Sequence, residues 1–387
     1  MSEAPHPALL PTGMHDLLPP EAEIEASVMA RLMATLTAHG YERVKPPLVE
    51  FEETLFSGAG AAMANSTFRM MDPISHRMIG VRADMTPQIA RIAATRLGRA
   101  PRPLRLSYAG QVLRVRGSEI RPERQVGQVG AELIGPAGPA ADVEAIAVAG
   151  AALAALGVPH LTVDITLPTL VPAIAEAYGI GGECAAALRS ALDHKDAAAV
   201  TVLAGKAGEL LERLLFAAGP AAATIAALDR LDLPERGSAE RARLGAVLDG
   251  LATAVPELKV TVDPVENRGF EYHTGISFTF FAAGSAAHGA LGELGRGGRY
   301  DAGDPAAPEP ATGFTLYTDT ILRTLPEVSA SPRILLPPGV ERGRADALRA
   351  ASWVTVAALA SVADWRAEAR RLRCSHVLEG NDPVPVG

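Results

Sequence analysis

Two extended runs that flank one short polar segment constrain the fold of this chain more than any other feature. The runs cover 104–115 and 126–134, and the segment 116–124 between them is charged and carries a glycine and a proline. Runs of strand length that alternate in character, joined by a short polar connection, are typical of a hairpin. The sequence therefore predicts a long antiparallel hairpin.

The second strand of this hairpin carries polar side chains on one face. Gln128, Gly130 and Glu132 share a parity, whereas the apolar residues between them point to the opposite face. A glycine between two polar residues leaves space for a group to lie across the sheet. The face is therefore either a binding surface for a polar ligand or a solvated surface of the sheet, and this strand alone does not decide between them.

Helices are predicted on both sides of the hairpin. Residues 21–38 place apolar side chains at helical spacing and end before a glycine, and 142–156 is an alanine-rich helix. Residues 84–88 open another helix, in which Thr86 is placed as the N-cap and Pro87 as the first helical residue, so that Thr86 has a complete structural role without a ligand. The stretch 44–51 is predicted as a strand at a sheet edge, because its two prolines cannot donate to a ladder.

The chain divides into a larger core and a small terminal domain. We predict a core over 1–326 that contains a helical insert at about 167–251, rich in Ala and Leu, and a small α/β domain over 327–387. A length of 387 residues suits two to three domains, and 48% apolar with 21% charged residues suits a folded globular protein.

Bulk charge and cysteine content disfavour several classes of function. A formal charge of -8 disfavours a surface that binds nucleic acid. The two cysteines, Cys184 and Cys374, are too few for a disulfide framework or a zinc site, which suits a reducing compartment. No metal or other cofactor is assigned. The chain has no basic and apolar leader and no window of about 18 uncharged apolar residues. We therefore expect a soluble, cytoplasmic protein without a membrane partner.

Three glycine-containing segments late in the core carry the strongest functional signal. Segment 268–275 reads Arg-Gly-Phe-Glu-Tyr-His-Thr-Gly, 295–301 reads Gly-Arg-Gly-Gly-Arg-Tyr-Asp, and 313–320 reads Gly-Phe-Thr-Leu-Tyr-Thr-Asp-Thr. The first two resemble the histidine-recognition signatures of class II histidyl-tRNA synthetases, and 40–50 resembles the motif that builds their dimer interface. The resemblance implies an α+β fold, a class II aminoacyl-tRNA synthetase-like antiparallel sheet of six to seven strands flanked by helices.

The same resemblance implies a pocket for free histidine, which must satisfy an ammonium, a carboxylate and both ring nitrogens. It implies that histidine is bound by Asp84, Thr86, Arg114, Gln128, Glu132, Arg268, Tyr272, His273 and Tyr300. Asp84 stands where the family usually has glutamate, and His273 stands where it has a second tyrosine, so both side chains have a shorter reach. A regular strand from Tyr272 onward would point Tyr272 and His273 in opposite directions, and the resemblance then favours His273 as the residue that lines the pocket.

The part of the site that would activate the amino acid departs from the family. Adenylation needs fixed positive charge on the triphosphate, which the class II fold supplies through two arginines. Arg114 can be the first, but Thr320 replaces the second and offers one neutral hydroxyl. Arg323 would sit nearly a helical turn away. Arg116 and Pro122 replace a glutamate and an ATP-facing arginine of the family, so no catalytic residue is assigned.

A kept amino-acid site beside a broken activation site resembles the regulatory subunits of ATP phosphoribosyltransferase, which are paralogues of the synthetases and serve histidine biosynthesis. The resemblance implies a non-catalytic subunit that activates the short-form catalytic subunit within a hetero-oligomer, a hetero-octamer. It implies feedback inhibition by free histidine, a homodimer through the synthetase-like core, and no tRNA partner. The terminal domain is then reduced relative to an anticodon-binding domain.

Two alternatives stay open. A divergent histidyl-tRNA synthetase or an amino-acid-activating ligase would use the retained Arg114 and Arg268 to turn over ATP. A structural scaffold that has lost histidine binding is suggested only by Asp84 and His273, and it predicts that replacing the glutamine or the glutamate of the hairpin strand changes nothing.

Overall fold

The computed structural model describes residues 9–117, 122–266, 272–282, 292–304, 306–325 and 331–386. The chain folds as two compact units, Met1–Pro326 and Glu327–Gly387. The larger unit holds the candidate site, and each unit has an apolar core of its own.

The larger unit contains twelve strands and eleven α-helices within the described residues. The strands are β1 (Glu42–Arg43), β2 (Val49–Phe51), β3 (Arg69–Met71), β4 (Met78–Val81), β5 (Leu104–Leu113), β6 (Gln125–Ile134), β7 (Thr162–Thr166), β8 (Gly219–Pro220), β9 (Lys259–Asp263), β10 (His273–Ala282), β11 (Gly292–Asp304) and β12 (Ala307–Tyr317). The helices are α1 (Glu21–Ala38), α2 (Glu52–Leu55), α3 (Thr86–Thr95), α4 (Pro139–Ala155), α5 (Leu170–Ala177), α6 (Gly182–Asp193), α7 (Ala197–Ala204), α8 (Gly208–Leu215), α9 (Ala221–Leu228), α10 (Glu235–Ala254) and α11 (Thr318–Thr324).

The main sheet has nine strands within the described residues, in the order β1-β5-β6-β12-β11-β10-β7-β9-β8. The six central strands, in the order β5-β6-β12-β11-β10-β7, each pair antiparallel with their neighbours among the six, which confirms the synthetase-like sheet. The predicted hairpin is β5 and β6, paired from Leu104 opposite Ile134 to Leu113 opposite Gln125. The sheet is nevertheless larger than expected and mixed, because β1 and β9 add parallel neighbours at its two sides.

The predicted strand over 44–51 is shorter in the structure. Only Val49–Phe51 forms a strand there, paired with β4, while Glu42–Arg43 pairs with β5. Pro46 and Pro47 lie between the two strands, and a residue without an N–H group cannot continue a ladder. The strands β2, β4 and β3 form a separate three-stranded sheet.

One face of the main sheet is apolar and is covered by helices. Val129 of β6 and Phe280 of β10 are fully buried there against Leu32 of α1 and Leu153 of α4. The helical insert belongs to the same core, because Leu244 and neighbouring apolar residues of α10 join this cluster. Burial of this face stabilises the unit by about 25 cal/mol for each Å² of apolar surface removed from water.

A buried ion-pair junction connects the insert to the central strands. The carboxylate of Asp142 on α4 is 1% exposed and accepts a hydrogen bond from Nε of Arg299 on β11 at 3.0 Å. Arg243 of α10 donates to the other oxygen of Asp142 at 3.0 Å. Arg299 also donates to the carbonyls of Pro136 and Gly138 at 3.0 and 3.1 Å, so that its charge is fully solvated by protein groups.

The smaller unit has the predicted β-α-β-α-β order and one further strand. Its elements are β13 (Arg333–Leu336), α12 (Arg342–Ala350), β14 (Val354–Ala357), α13 (Trp365–Arg371), β15 (His376–Glu379) and β16 (Asp382–Pro385). The first three of its strands are parallel, in the order β14-β13-β15, and β16 adds an antiparallel edge. Among the helices that the structure describes in either unit, none has the length and apolar character needed to cross a membrane.

Candidate functional site

A narrow cleft opens on the polar face of the main sheet, over β6, β10, β11 and β12. The start of α3 forms one side of it. The cleft is lined by Asp84, Thr86, Glu132, Tyr272, His273, Arg296, Gly297, Gly298, Tyr300, Gly313, Phe314, Thr315 and Tyr317. Six of the nine residues predicted from the sequence therefore lie around one cavity.

Glu132 forms the acidic floor of the cleft. Its side chain is 1% exposed, and the hydroxyls of Tyr300 and Tyr108 donate to its two carboxylate oxygens at 3.0 and 3.3 Å. Burial, together with the nearby charge of Asp84, raises the pKa of Glu132 to about 8, although the hydroxyl hydrogen bonds favour the ionised form. Gly313 on β12 provides the space, since a Cβ atom there would lie 1.8 Å from Glu132 Oε2.

Asp84 lies beside Glu132, and the side chain of Gln128 holds it in place by hydrogen bonds from outside the cleft. The side-chain nitrogen of Gln128 donates to Asp84 Oδ2 at 2.8 Å, and Gln128 accepts from the backbone N–H of Met85 at 3.1 Å. The other oxygen of Asp84 accepts from the backbone N–H of Thr86 at 2.9 Å. Gln128 is fully buried and does not line the cleft, so its amide positions Asp84.

The expected role of Thr86 as an N-cap is wrong. The helix begins at Thr86 itself, with Met85 as the preceding residue and no side-chain cap. The Thr86 hydroxyl instead faces the cleft, 3.2 Å from the hydroxyl of Tyr108 and hydrogen-bonded to Glu132. The Tyr108 hydroxyl occupies the space that the missing side chain of Gly130 leaves on the neighbouring strand, 2.4 Å from an added Cβ.

Both Tyr272 and His273 line the cleft, which corrects the expectation that only one could. The strand begins at His273, and its pairing with β11 is irregular between His273 and Ser277, so the alternation of faces does not extend back to Tyr272. The two rings lie 4.9 Å apart, and Tyr272 meets Tyr300 edge to face at 5.9 Å.

His273 is uncharged at neutral pH in this setting. Burial lowers its pKa to about 4, and the positive charge of Arg296 adds to the effect. Gly298 makes room for the ring, because a Cβ there would lie 2.8 Å from His273 Nε2. A neutral imidazole offers one donor and one acceptor, which suits recognition of another five-membered nitrogen ring.

The two predicted arginines do not line the described cleft. Arg114 is not among the lining residues, and its Nε donates to the carbonyl of Ala83 at 3.4 Å. Arg268 lies outside the described residues. The sequence interpretation passed over Arg296, which does line the cleft and forms hydrogen bonds to Glu293 at 2.6 and 3.1 Å.

The position expected to hold an activating arginine is occupied by a short polar side chain. Thr320 is 5% exposed, and its methyl group lies 2.8 Å from the place of a Cβ on Gly292. Arg323 does not replace the missing cation, because it pairs with Glu123 at 2.8 Å and with Asp319 at 3.4 Å near the surface. Within the described residues, no cation of α11 reaches the cleft.

Comparison with known proteins places this architecture in a known group. A family model for histidyl-tRNA synthetase matches residues 13–321. A protein named ATP phosphoribosyltransferase regulatory subunit from Paramagnetospirillum magneticum is 55% identical over 100% of both chains. Another of that name from Rhodospirillum centenum is 56% identical over 97% of this chain and 96% of its own.

Solved structures agree with this grouping. A structure described as an ATP phosphoribosyltransferase regulatory subunit/histidyl-tRNA synthetase from Bacillus halodurans superposes with a TM-score of 0.79 at 26% identity, over 96% of this chain and 97% of the other. A histidyl-tRNA synthetase from Nostoc superposes with a TM-score of 0.77 at 18% identity, over 95% and 90% of the two chains, and supports the fold alone.

Proposed function

The chain belongs to the family of ATP phosphoribosyltransferase regulatory subunits, built on a histidyl-tRNA synthetase-like domain, and from this premise we propose that it is a non-catalytic sensor of free histidine. In this role it activates the short-form catalytic subunit of ATP phosphoribosyltransferase, and histidine binding reverses the activation. Histidine must then bind one state of the complex better than the other, since equal affinity for both would shift nothing.

One observation carries the proposal: a single cleft joins two acidic side chains to a neutral imidazole. Asp84 and Glu132 lie at one end, where an α-ammonium would meet two carboxylates and the hydroxyl of Thr86. Tyr272 and His273 lie along the other wall and offer ring stacking and hydrogen bonds to the imidazole of the ligand. These groups give the ammonium and the imidazole of histidine partners of matching chemistry, and burying a ligand requires such a partner for each of its polar groups.

The chemistry of the nucleotide side supports a binding protein over an enzyme. Pyrophosphate departure needs fixed cations at the triphosphate, and the loss of one such donor costs on the order of 10²- to 10³-fold in rate. Thr320 stands at one of these positions, and Arg323 is held in ion pairs with Glu123 and Asp319. The competing function, a divergent histidyl-tRNA synthetase or ligase, draws its support from Arg114 and Arg268.

We further propose that the chain works as a homodimer through its synthetase-like core within a hetero-octamer containing the catalytic subunit. The names of the relatives support the pairing with a catalytic subunit. The smaller unit, Glu327–Gly387, is in this proposal a reduced counterpart of an anticodon-binding domain, and no tRNA is bound.

The test combines two measurements on the purified chain: calorimetric titration with histidine, and ATP-pyrophosphate exchange in the presence of histidine. We expect saturable binding without exchange. Glu132→Gln should weaken binding by about tenfold or more, since it removes a charge-assisted hydrogen bond to the ammonium. Glu209→Gln, at an exposed position of α8, is the control and should leave binding unchanged.

The outcomes separate the alternatives. Exchange above background would replace the sensor with an active synthetase or ligase. Absence of histidine binding would reject the sensor in favour of a scaffold. Binding without exchange is then followed by mixing with the catalytic subunit, where the sensor predicts higher phosphoribosyltransferase activity that histidine suppresses in the wild-type complex and spares in the complex containing Glu132→Gln.

A further inference from the structure

A β-bulge places an ion pair at the rim of the cleft that a regular strand could not form. Phe280 pairs with Gly295 and Phe281 with Glu293, so Leu294 is an extra residue on β11. Residues three apart on a regular strand face opposite ways, but the extra residue brings Glu293 and Arg296 to the same face. Bulges of this kind commonly re-aim a side chain next to a functional site.

Among the described residues that line the cleft, Arg296 carries the positively charged side chain. The two acids of the lining, Asp84 and Glu132, lie at the ammonium end, and His273 is neutral at pH 7 because its pKa is lowered by burial. Arg296 is 29% exposed and acts electrostatically on both His273 and Tyr272, so its guanidinium lies on the aromatic side of the cleft. The cleft is therefore polarised, with negative charge at one end and positive charge at the other.

We propose that Arg296 binds the carboxylate of the amino acid and that Glu293 competes with the ligand for the same guanidinium. This subsite rests on the proposed histidine-sensing function and adds to it a residue that recognises the carboxylate of histidine. A zwitterion then fits the polarity of the cleft in one direction only, with its ammonium toward Asp84 and Glu132. A ligand that has the imidazole and the ammonium but no carboxylate is discriminated against.

The geometry of the pair allows this exchange. Glu293 engages Arg296 through the Nε and Nη2 edge, with its oxygens at 2.6 and 3.1 Å. A carboxylate of the ligand can form the same two-bond contact, because its two oxygens match the planar arrangement of the guanidinium donors. Since Glu293 is 21% exposed, its carboxylate can be hydrated by solvent when a ligand carboxylate binds the guanidinium of Arg296 in its place.

The experiment is a cycle of two ligands and three proteins, measured by calorimetry at one pH. The ligands are histidine and histidinol, in which a hydroxymethyl group replaces the carboxylate. The proteins are the wild type, Glu293→Gln, and the double variant Glu293→Gln with Arg296→Met. The double variant avoids the isolated carboxylate that removal of Arg296 alone would leave at the rim.

The wild type should prefer histidine over histidinol by about 10- to 100-fold, the range expected for a charge-assisted hydrogen bond. The double variant should reduce this preference to within about threefold, because neither ligand then meets the guanidinium of Arg296. Glu293→Gln should tighten histidine binding by about 3- to 10-fold and leave histidinol binding unchanged, since it removes only the competitor of the carboxylate.

Each result decides one question. A double variant that folds, binds histidine and keeps the wild-type preference would overturn the assignment of Arg296. If the double variant does not fold, Glu293→Gln alone decides, because unchanged or weaker histidine binding contradicts competition at the guanidinium. A wild type that does not bind histidine at all rejects the histidine sensor itself, and the subsite with it. Arg349→Met, in an exposed pair with Asp346, is the control for removal of an arginine.

Discussion

The buried carboxyl of Glu132 should make histidine binding release a proton. Its pKa is raised to about 8 by burial, so at pH 7 about nine in ten molecules of the free protein carry a proton there. An ammonium bound beside Glu132 stabilises the ionised form and lowers this pKa, so binding expels the proton. We therefore expect release of about 0.9 proton per histidine at pH 7, and affinity that rises about fivefold from pH 7 to pH 8.

The assay is calorimetric titration at pH 7 in buffers with different ionisation enthalpies, where the slope of the observed enthalpy counts the protons exchanged. The ring of the ligand contributes equally in every variant, and His273 contributes none because its pKa is lowered to about 4 by burial. Glu132→Gln should lose the release of about 0.9 proton. Equal proton release in the wild type and in Glu132→Gln would refute the reasoning.

A second variant serves if Glu132→Gln binds too weakly for calorimetry. Tyr300→Phe removes the hydroxyl that donates to Glu132 Oε2 at 3.0 Å. Because that hydrogen bond favours the ionised carboxylate, its loss should raise the pKa of Glu132 further. Histidine affinity at pH 7 should fall, and its rise between pH 7 and pH 8 should steepen toward tenfold.

Two further predictions follow from packing and charge. Gly313→Ala places a methyl group 1.8 Å from Glu132 Oε2 and 2.6 Å from the carbonyl of Ala131; it should destabilise the chain by about 1 to 3 kcal/mol in urea unfolding and weaken histidine binding more than tenfold. Asp142→Asn leaves the guanidinium of Arg299, which is 4% exposed, without a compensating charge; the free energy of unfolding should fall by about 3 kcal/mol.

Matched controls separate these effects from general loss of stability. Gly245→Ala lies in the middle of α10 with nothing within 4 Å of the added Cβ, and it should be neutral or stabilising by up to about 1 kcal/mol. Asp229→Asn breaks an exposed pair with Arg241 and should cost less than about 1 kcal/mol. If these controls destabilise as much as Gly313→Ala and Asp142→Asn, the contacts of Glu132 and Asp142 are not the cause.

Periodicity predicted the part of the site that lies on regular strands. The alternation on β6 placed Glu132 toward the cleft, and the structure confirms the hairpin that carries it. The same alternation failed where strands are irregular. Tyr272 lines the cleft because β10 begins one residue later and pairs irregularly with β11 as far as Ser277. Arg296, in contrast, shares the parity of Tyr300 on a regular stretch of β11, so alternation could have predicted it. A residue pattern does not reveal an inserted residue until the partner strand is known.

Local propensity was misleading at Thr86. A threonine before a proline is a good N-cap, and that role explained the residue completely on its own. The structure gives Thr86 a tertiary role, because the Tyr108 hydroxyl lies 3.2 Å from it over the space left by Gly130. Nothing in the strand that carries Tyr108 signals this contact. The role of Tyr108 depends on Gly130, which faces it on the next strand. Such a contact between two strands cannot be predicted from the residue pattern of either strand alone.

The junction at Asp142 has a consequence for engineering this protein. Arg243 on α10 supplies one of the two guanidiniums that neutralise Asp142, and β8 extends the sheet beside β9. A chain shortened by removing 167–251 would lose that cation, one sheet edge and the apolar side chains that α10 adds to the main core. The insert is therefore not a detachable module, and a chimera that exchanges it between relatives must carry the facing residues of α4 along with it.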